Sequence, residues 1–195
     1  MPIGRHRIDW QTPQGRLSAI EPTPGEIEAA AGALAAAYSD PRNAPMMGHD
    51  EPFAPADVIA HLEGLRAEGG RPFLLEHDGI LAGDADLRAI AGGHAELAIL
   101  VAAPESQGRG LGTRFALMLH AFAFRTLGLE RVYVAIVRGN QPSLRLFARL
   151  GYEIDETPTA RAHVDDPGEV SMSLGAEDFE RRHGEAVAGI RISER

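Results

Sequence analysis

A glycine-rich turn between an apolar run and a long apolar helix carries the clearest chemical signal in this chain. The run at 96–102 has the length of a strand, a proline follows at position 104, and glycines stand at positions 108, 110 and 112. Glycines let the main chain approach a ligand without a Cβ in the way. A helix that begins near Leu111 presents unpaired N–H groups and a partial positive charge at its start. This order predicts a site for an anionic group such as a pyrophosphate.

The spacing of the glycines argues against two common phosphate-binding loops. A P-loop ends in Gly-Lys-Ser/Thr, and this turn has no such ending. A dinucleotide fingerprint needs a third glycine where this chain has Thr113, so a dinucleotide oxidoreductase is not expected. The pattern that fits residues 107–112 is Q/R-x-x-G-x-G/A.

Two segments together resemble the GNAT superfamily of N-acetyltransferases. Residues 107–112 are similar to its acyl-CoA pyrophosphate loop, and residues 140–152 resemble its segment N-x-x-S/A-x-x-x-Y-x-x-x-G-F/Y. Over 73–174 the chain is similar to the branch of ribosomal-protein N-terminal and spermidine acetyltransferases. The resemblance implies an α/β (α+β) GNAT fold with a mixed, mostly antiparallel sheet, helices on both faces and a splayed parallel strand pair.

The resemblance also implies acetyl-CoA as co-substrate and assigns residues to it. The pantetheine arm is expected on the backbone at the end of the apolar run, and the pyrophosphate on the N–H groups of the turn. Arg109 either adds a contact to phosphate or is a solvated side chain, and Asn140 either contacts the cofactor or caps a helix. The residues expected to bind the cofactor are Leu100, Val101, Ala102, Gln107, Gly108, Arg109, Gly110, Leu111, Gly112, Thr113, Asn140, Ser143 and Phe147.

Phe147 departs from the family pattern, which commonly has a tyrosine there. That tyrosine is usually credited with protonating the departing thiolate, and phenylalanine keeps the packing but has no proton to give. The loss does not exclude catalysis, because thiols have a pKa of about 8.5 and general acid help contributes roughly 10²–10⁴-fold. Tyr152 is the nearest other phenol in sequence, and we expect it to pack in the core.

Glu96 is the expected general base, since the attacking amine must lose a proton. By the two-residue alternation of a strand it shares a face with Ala98 and Leu100, and these apolar neighbours favour the neutral form of a carboxyl group. Similar GNAT sequences also carry Ala-Glu at this point. The alternative is a solvated carboxylate at a strand end. Asp84 and Asp86 share one face of the preceding strand; they either line the acceptor pocket or, as we expect, lie at the surface.

Composition limits the classes of function. The chain of 195 residues has a formal net charge of −9, which suits a cationic acceptor better than nucleic acid. It has no cysteine, so thiol catalysis is excluded and a cytoplasmic location is expected. No apolar run is long enough to predict a membrane span, and residues 1–7 lack the apolar core of a signal peptide. The eight histidines show no zinc-ligand spacing, so no metal is expected.

The pattern predicts one domain over 1–184 and a flexible tail over 185–195. Helices are expected at 25–38, 55–68 and 111–127, with a short one from 140 to 151. Strands are expected at 17–20, 72–77, 80–90, 95–102, 131–137, 152–155 and 169–174, with residues 1–16 as a leading arm or short edge strand. The strand at 131–137 follows a crossover helix and should lie parallel to the one at 95–102. The GNAT resemblance implies that the cleft lies between these two strands.

These observations predict direct acetyl transfer from acetyl-CoA to a primary amine. No acyl-enzyme is expected, because no cysteine or serine–histidine pair marks a nucleophile. Three acceptor hypotheses stay open: a small amine such as a polyamine or antibiotic, a protein α-amine or lysine, and a non-catalytic acyl-CoA binding module. The family resemblance also suggests a homodimer.

Overall fold

The computed structural model describes residues 4–47, 51–102, 110–164 and 166–195. Within these ranges one nine-stranded sheet has the strand order β7-β8-β6-β5-β4-β3-β2-β1-β9. The strands are β1 (His6–Thr12), β2 (Gly15–Ile20), β3 (Arg71–His77), β4 (Ile80–Ala91), β5 (His94–Val101), β6 (Arg131–Val137), β7 (Glu153–Ile154), β8 (Glu169–Gly175) and β9 (Arg191–Glu194). The helices are α1 (Pro24–Tyr38), α2 (Pro55–Ala67), α3 (Leu111–Arg125), α4 (Gln141–Leu150), α5 (Pro158–Arg161) and α6 (Ala176–His183), with a short 3-10 helix at Ala44–Met46.

The starts of the first and fourth helices follow directly from their capping residues. At α1 the Thr23 side chain accepts from the Glu26 N–H at 3.1 Å, and the Glu26 carboxylate accepts from the Thr23 N–H at 2.7 Å. This reciprocal pair is a capping box, which satisfies two N–H groups that the helix itself cannot. At α4 the Asn140 side chain accepts from the Ser143 N–H at 3.1 Å. Gly151 ends that helix in the left-handed conformation, with φ of 96°.

The central strands form the antiparallel meander that the sequence predicts. Asp78 and Gly79 have φ of 51° and 79°, so the β3–β4 turn has positive φ at both central residues, as a type I′ hairpin requires. β5 pairs antiparallel with β4 on one side and parallel with β6 on the other. The crossover from β5 to β6 passes through α3, which confirms the expected parallel pair. The mixed, mostly antiparallel sheet of the expected fold class is confirmed as well.

Helices cover both faces of the sheet, and each face has its own apolar cluster. On one face α3 buries Phe115, Met118 and Phe122 against the strands, together with side chains of α4 and α6. On the other face α1 and α2 pack on each other and on Leu74, with Leu81 and Leu100 partly buried at the edge. The two faces of β5 are therefore distinct: odd-numbered residues face α3, and even-numbered residues face the α1–α2 side.

The C-terminal region differs from the sequence expectation. Residues 185–195 were expected as a flexible tail, but here Val187 is fully buried and β9 pairs antiparallel with β1, with Ile192 opposite Ile8. Pairing with a partner more than 180 residues away leaves no local signal beyond a short apolar alternation at Ile190 and Ile192. The helices α5 and α6 were also not expected. Among the described residues no helix has the length and apolar character needed to cross a bilayer.

Candidate active site

A fork between β5 and β6 is the central feature of the site. The parallel ladder joins only three pairs, and the last of them is Glu96 with Tyr133. Beyond it β5 continues to Val101 alongside β4, whereas β6 continues to Val137 alongside β8. Each arm of the fork is therefore held by its outer neighbour while the inner edges separate, which is the splayed pair that the sequence predicts.

The direction of the backbone groups decides which of them face the fork. The Ala102 N–H donates to the Ala82 carbonyl on β4 at 2.8 Å. Because these groups alternate sides along a strand, those of Leu97 and Ile99 point to the β6 side. The last parallel pair, Glu96 with Tyr133, uses the Leu97 N–H, so the Leu97 carbonyl and both groups of Ile99 lie beyond the described ladder. Leu100, Val101 and Ala102 are the residues whose backbone was expected to contact the cofactor. By the same alternation, the backbone groups of Val101 point to the β6 side. Leu100 and the Ala102 N–H are directed to β4.

The start of α3 lies beside the open end of the fork. Gly110 caps the helix with φ of 73°, and the first intrahelical bond runs from the Arg114 N–H to the Gly110 carbonyl at 3.2 Å. The N–H groups of Leu111, Gly112 and Thr113 therefore precede the first turn of the helix ladder. A Cβ added at Gly112 would stand 3.0 Å from Leu146 and 3.7 Å from Val101. Gly112 thus lets α3 approach both α4 and the end of β5.

Three of the expected cofactor ligands, Gln107, Gly108 and Arg109, lie outside the described residues. On α4, Ser143 is partly buried and Phe147 is buried in the apolar cluster. The Phe147 ring lies edge-on to Tyr152, at 5.1 Å between centroids. Tyr152 is itself buried, with its hydroxyl bonded to Nε2 of His120, so it packs in the core as expected.

Asn140 has a second role besides capping α4. Its side-chain amide donates to the Met46 carbonyl at 3.0 Å, while its carbonyl accepts from Ser143. Met46 belongs to the segment that follows α1, so this bond joins the α1–α2 side of the fork to the start of α4 beyond β6. A second bond joins the residues that flank this segment: the Ser39 hydroxyl, just after α1, accepts from the Phe53 N–H, just before α2, at 2.8 Å.

Buried acidic residues line the α1–α2 face of β4, which corrects the expectation that they lie at the surface. Asp84 and Asp86 are each 3% exposed. Asp84 Oδ2 accepts from the Tyr38 hydroxyl, and among the described residues Asp84 Oδ1 is buried without a hydrogen-bond partner. Burial raises the pKa of Asp84 to about 7, although the bond from Tyr38 lowers it. Asp86 forms a bidentate pair with Arg88, at 2.6 and 2.7 Å.

Glu96 stands where the ladder ends, but its surroundings are not the apolar ones that the sequence suggests. Arg88 lies directly opposite on β4. Burial lowers the pKa of Arg88, but hydrogen bonds to Asp86 and the charges of Asp86 and Glu96 outweigh it, so the pKa is raised. On its other side Glu96 Oε2 lies 3.3 Å from Nδ1 of His163. The Glu96 side chain keeps 16% of its surface exposed, so a substrate can still reach it.

Sequence reasoning overlooked three members of this site. Arg88 follows Asp84 and Asp86 in the same two-residue alternation, so its position was available from the pattern. Tyr38 is the last residue of the apolar stripe of α1 and looks like a core residue in sequence. His163 lies after α5, in a stretch with no periodic signal. Among the described residues no group of three or more potential ligands is placed to hold a metal ion.

Comparison with known proteins assigns the family. The family model of the acetyltransferase (GNAT) domain matches residues 23–153. The chain therefore belongs to the GNAT acetyltransferase family. The match covers α1, the meander, the fork and α4, and of the site residues described above His163 lies outside it.

Similar proteins share the family but differ in acceptor. The spermidine N(1)-acetyltransferase of Escherichia coli (strain K12) is 29% identical over 110 residues, which are 54% of this chain and 59% of that protein. Alpha/beta-tubulin-N-acetyltransferase 9 of Homo sapiens is 38% identical over 58 residues, 30% of this chain and 28% of that protein. The chain thus matches less than two thirds of the length of either of these relatives.

Solved structures with the same fold include CoA complexes. Mycobacterium smegmatis RimJ in complex with CoA-disulfide superposes with a TM-score of 0.73 at 20% identity, covering 95% of this chain and 96% of that one. The spermidine N-acetyltransferase of Vibrio cholerae in complex with CoA and spermine gives a TM-score of 0.67 at 16% identity, covering 84% and 97%. At these identities the likeness establishes the fold alone.

Proposed function

We propose that this protein transfers an acetyl group from acetyl-CoA directly to the primary amine of a small cationic molecule. The observation that supports this most is the fork between β5 and β6, which opens at Glu96 and points toward the start of α3. No other part of the described chain combines a separated strand pair, a helix N-terminus and a carboxylate within reach of one ligand.

The fork and the start of α3 fit the two ends of a CoA molecule. Amides of a pantetheine arm can bond to strand edges as an added strand would, and the Leu97 carbonyl and both backbone groups of Ile99 face the fork beyond the last parallel pair. The N–H groups of Leu111, Gly112 and Thr113 suit a pyrophosphate. The family resemblance adds Gln107, Gly108 and Arg109 to this cradle, and it adds Asn140, Ser143 and Phe147 along the arm. The CoA present in RimJ and in the Vibrio cholerae enzyme supports the assignment.

Glu96 is the proposed proton acceptor. An ammonium acceptor gives one proton to the Glu96 carboxylate, and the neutral amine then attacks the thioester carbon. The C–N bond forms, the C–S bond breaks, and the second amine proton passes to the leaving thiolate. Glu96 then releases its proton to solvent, so the net products are the amide, the free thiol and one released proton. Orientation of the two substrates supplies much of the rate, because the chain forms no covalent intermediate.

The acidic character of the chain favours a cationic acceptor. Its net charge is −9, and the partly exposed carboxylate of Glu96 lies on the α1–α2 face of the sheet beside the fork. Such charges attract a polyamine or an aminoglycoside-like amine. The likeness to a spermidine acetyltransferase supports the same class of substrate.

A protein amine is the second candidate acceptor. The segment that is 38% identical to alpha/beta-tubulin-N-acetyltransferase 9 favours it. A non-catalytic acyl-CoA binding module is the third candidate, because Phe147 provides no phenolic proton.

Thiol release distinguishes the three candidates. The purified protein is mixed with acetyl-CoA and with spermidine, an aminoglycoside or an N-terminally free peptide, and free CoA is measured with a thiol reagent. We expect release with the small polycations and a fall of about 10²-fold or more in Glu96→Gln. Release with the peptide alone would favour the second candidate. Binding of CoA without release by any amine would leave only the binding module.

A further inference from the structure

A histidine from a distant part of the chain contacts the proposed base. His163 follows α5, and its ring stacks on the ring of Tyr133 in β6, with 4.7 Å between centroids and 21° between planes. Tyr133 is the ladder partner of Glu96 in the last pair before the fork opens. The stack therefore fixes His163 at the point where the two arms separate, 67 residues from Glu96 in sequence.

The hydrogen bond between the two side chains assigns the tautomer of the histidine. Glu96 Oε2 lies 3.3 Å from His163 Nδ1, and the two side chains are only 16% and 10% exposed. Burial lowers the pKa of His163, and the nearby His94 lowers it further. A carboxylate can only accept, so in the neutral ring Nδ1 carries the hydrogen and donates it to Glu96.

Arg88 on β4 and His94 on β5 also lie around the Glu96–His163 pair. Arg88 faces Glu96 across the β4–β5 ladder. His94 lies edge-on to Tyr133 at 5.8 Å, two residues before Glu96 on β5. Arg88 is held by Asp86, so its position does not depend on Glu96 alone. Glu96 is therefore contacted by the ring over β6, while the positive charge of Arg88 lies on the strand opposite it.

We propose that His163 is a positioning residue for acetyl transfer. It holds Oε2 of Glu96 through Nδ1–H and so directs the carboxylate toward the acceptor amine at the mouth of the fork. This inference rests on the proposed function, because it assigns His163 an effect only through Glu96. His163 is not itself required to take up or release a proton.

Two substitutions separate the hydrogen bond from the stack. His163→Phe keeps an aromatic ring over Tyr133 but loses the donor, whereas His163→Asn keeps a donor close to the position of Nδ1 but loses the ring. We expect His163→Phe to lower kcat about tenfold or more with little change in the KM for acetyl-CoA. His163→Asn should retain most of the wild-type kcat. Circular dichroism and the melting temperature of each variant show whether it is folded.

The decisive comparison uses the Glu96→Gln background. Because His163 acts through the Glu96 carboxylate, His163→Phe should lower kcat in the wild-type chain but cause no further loss beside Glu96→Gln. An equal loss in both backgrounds, or equal losses in the Phe and Asn variants, would overturn the inference. If Glu96→Gln lowers kcat and folded His163→Phe does not, the inference fails and the proposed function stands. If the wild-type protein transfers no acetyl group to any amine, the proposed function itself fails.

Discussion

Gly83 lets β4 approach the end of β5, which forms one arm of the fork. Replacing Gly83 tests whether acetyl transfer depends on that close approach. Gly83 has φ of 154°, and a Cβ added there would overlap the Leu100 carbonyl oxygen. The same Cβ would stand 2.9 Å from the Leu100 carbonyl carbon and 3.1 Å from the Val101 Cα. These neighbours are backbone atoms, so no side chain can rotate away. Gly83→Ala must therefore move β4 away from the end of β5.

The expected loss has a conformational part and a steric part. An unfavourable φ costs about 1–3 kcal/mol, and a forced backbone shift costs about 1–3 kcal/mol more. An ordinary C···O contact is about 3.3 Å or longer, so the strands must separate by more than about 1 Å. A misplacement of about 1 Å near reacting groups can lower the rate by about 10²-fold. We therefore expect Gly83→Ala to reduce both the free energy of unfolding and kcat/KM for acetyl transfer.

Gly79→Ala is the matched control. Gly79 also has positive φ, 79°, but a Cβ added there would meet nothing within 4 Å. It should cost only the conformational part, about 1–2 kcal/mol, and leave kcat/KM unchanged. Urea unfolding and steady-state kinetics measure both quantities for the two variants. If Gly83→Ala is as stable as Gly79→Ala within about 0.5 kcal/mol and equally active, then β4 does not approach the end of β5 as closely as described.

Three further predictions concern other buried groups. Glu21→Gln removes the counter-charge of the Arg71 guanidinium, whose side chain is only 8% exposed. It should therefore reduce the free energy of urea unfolding by about 3–5 kcal/mol, whereas Glu28→Gln, at an exposed position, should change it little. Burial lowers the pKa of His120 to about 4, so as pH falls below about 6.5 the unfolded chain binds the proton before the folded chain does. The free energy of unfolding should therefore decline by about 3 kcal/mol by pH 4. His120→Gln should remove that part of the decline when unfolding is measured as a function of pH. Phe147→Tyr restores the family's phenol and should raise kcat about tenfold; an unchanged kcat in a folded variant would show that the thiolate leaves without it.

Local sequence signals predicted the parts of the fold that depend on near neighbours. The turn at Asp78 and Gly79, the cap at Asn140 and the crossover through α3 each rest on contacts within a few residues or on a handedness rule. From these the meander and the parallel pair follow, whereas the fork between β5 and β6 was expected from the family resemblance. The expected assignment of Asn140 as a cap is confirmed by its bond from Ser143.

Features that depend on distant contacts were not predicted. Asp84 looks like a surface carboxylate in sequence, but Tyr38 from α1 supplies the hydroxyl that lets it be buried. Glu96 has apolar neighbours along its own strand, but Arg88 from β4 and His163 from beyond α5 set its electrostatic surroundings. The partners that Tyr38 provides for Asp84 and His163 provides for Glu96 come from 46 and 67 positions away. A single sequence carries no local trace of such pairings.

Amide hydrogen exchange with and without CoA tests the central claim most directly. The claim is that CoA lies in the fork as an added strand would, against the inner edges of β5 and β6. We expect saturating CoA to slow the exchange of the Ile99 amide and of amides within 134–137. The amide of Met172 on β8, which is paired with β6 on its outer side, serves as the reference. Slowing confined to the fork supports the claim, whereas CoA binding that leaves the fork amides unchanged, or that slows them no more than Met172, contradicts it.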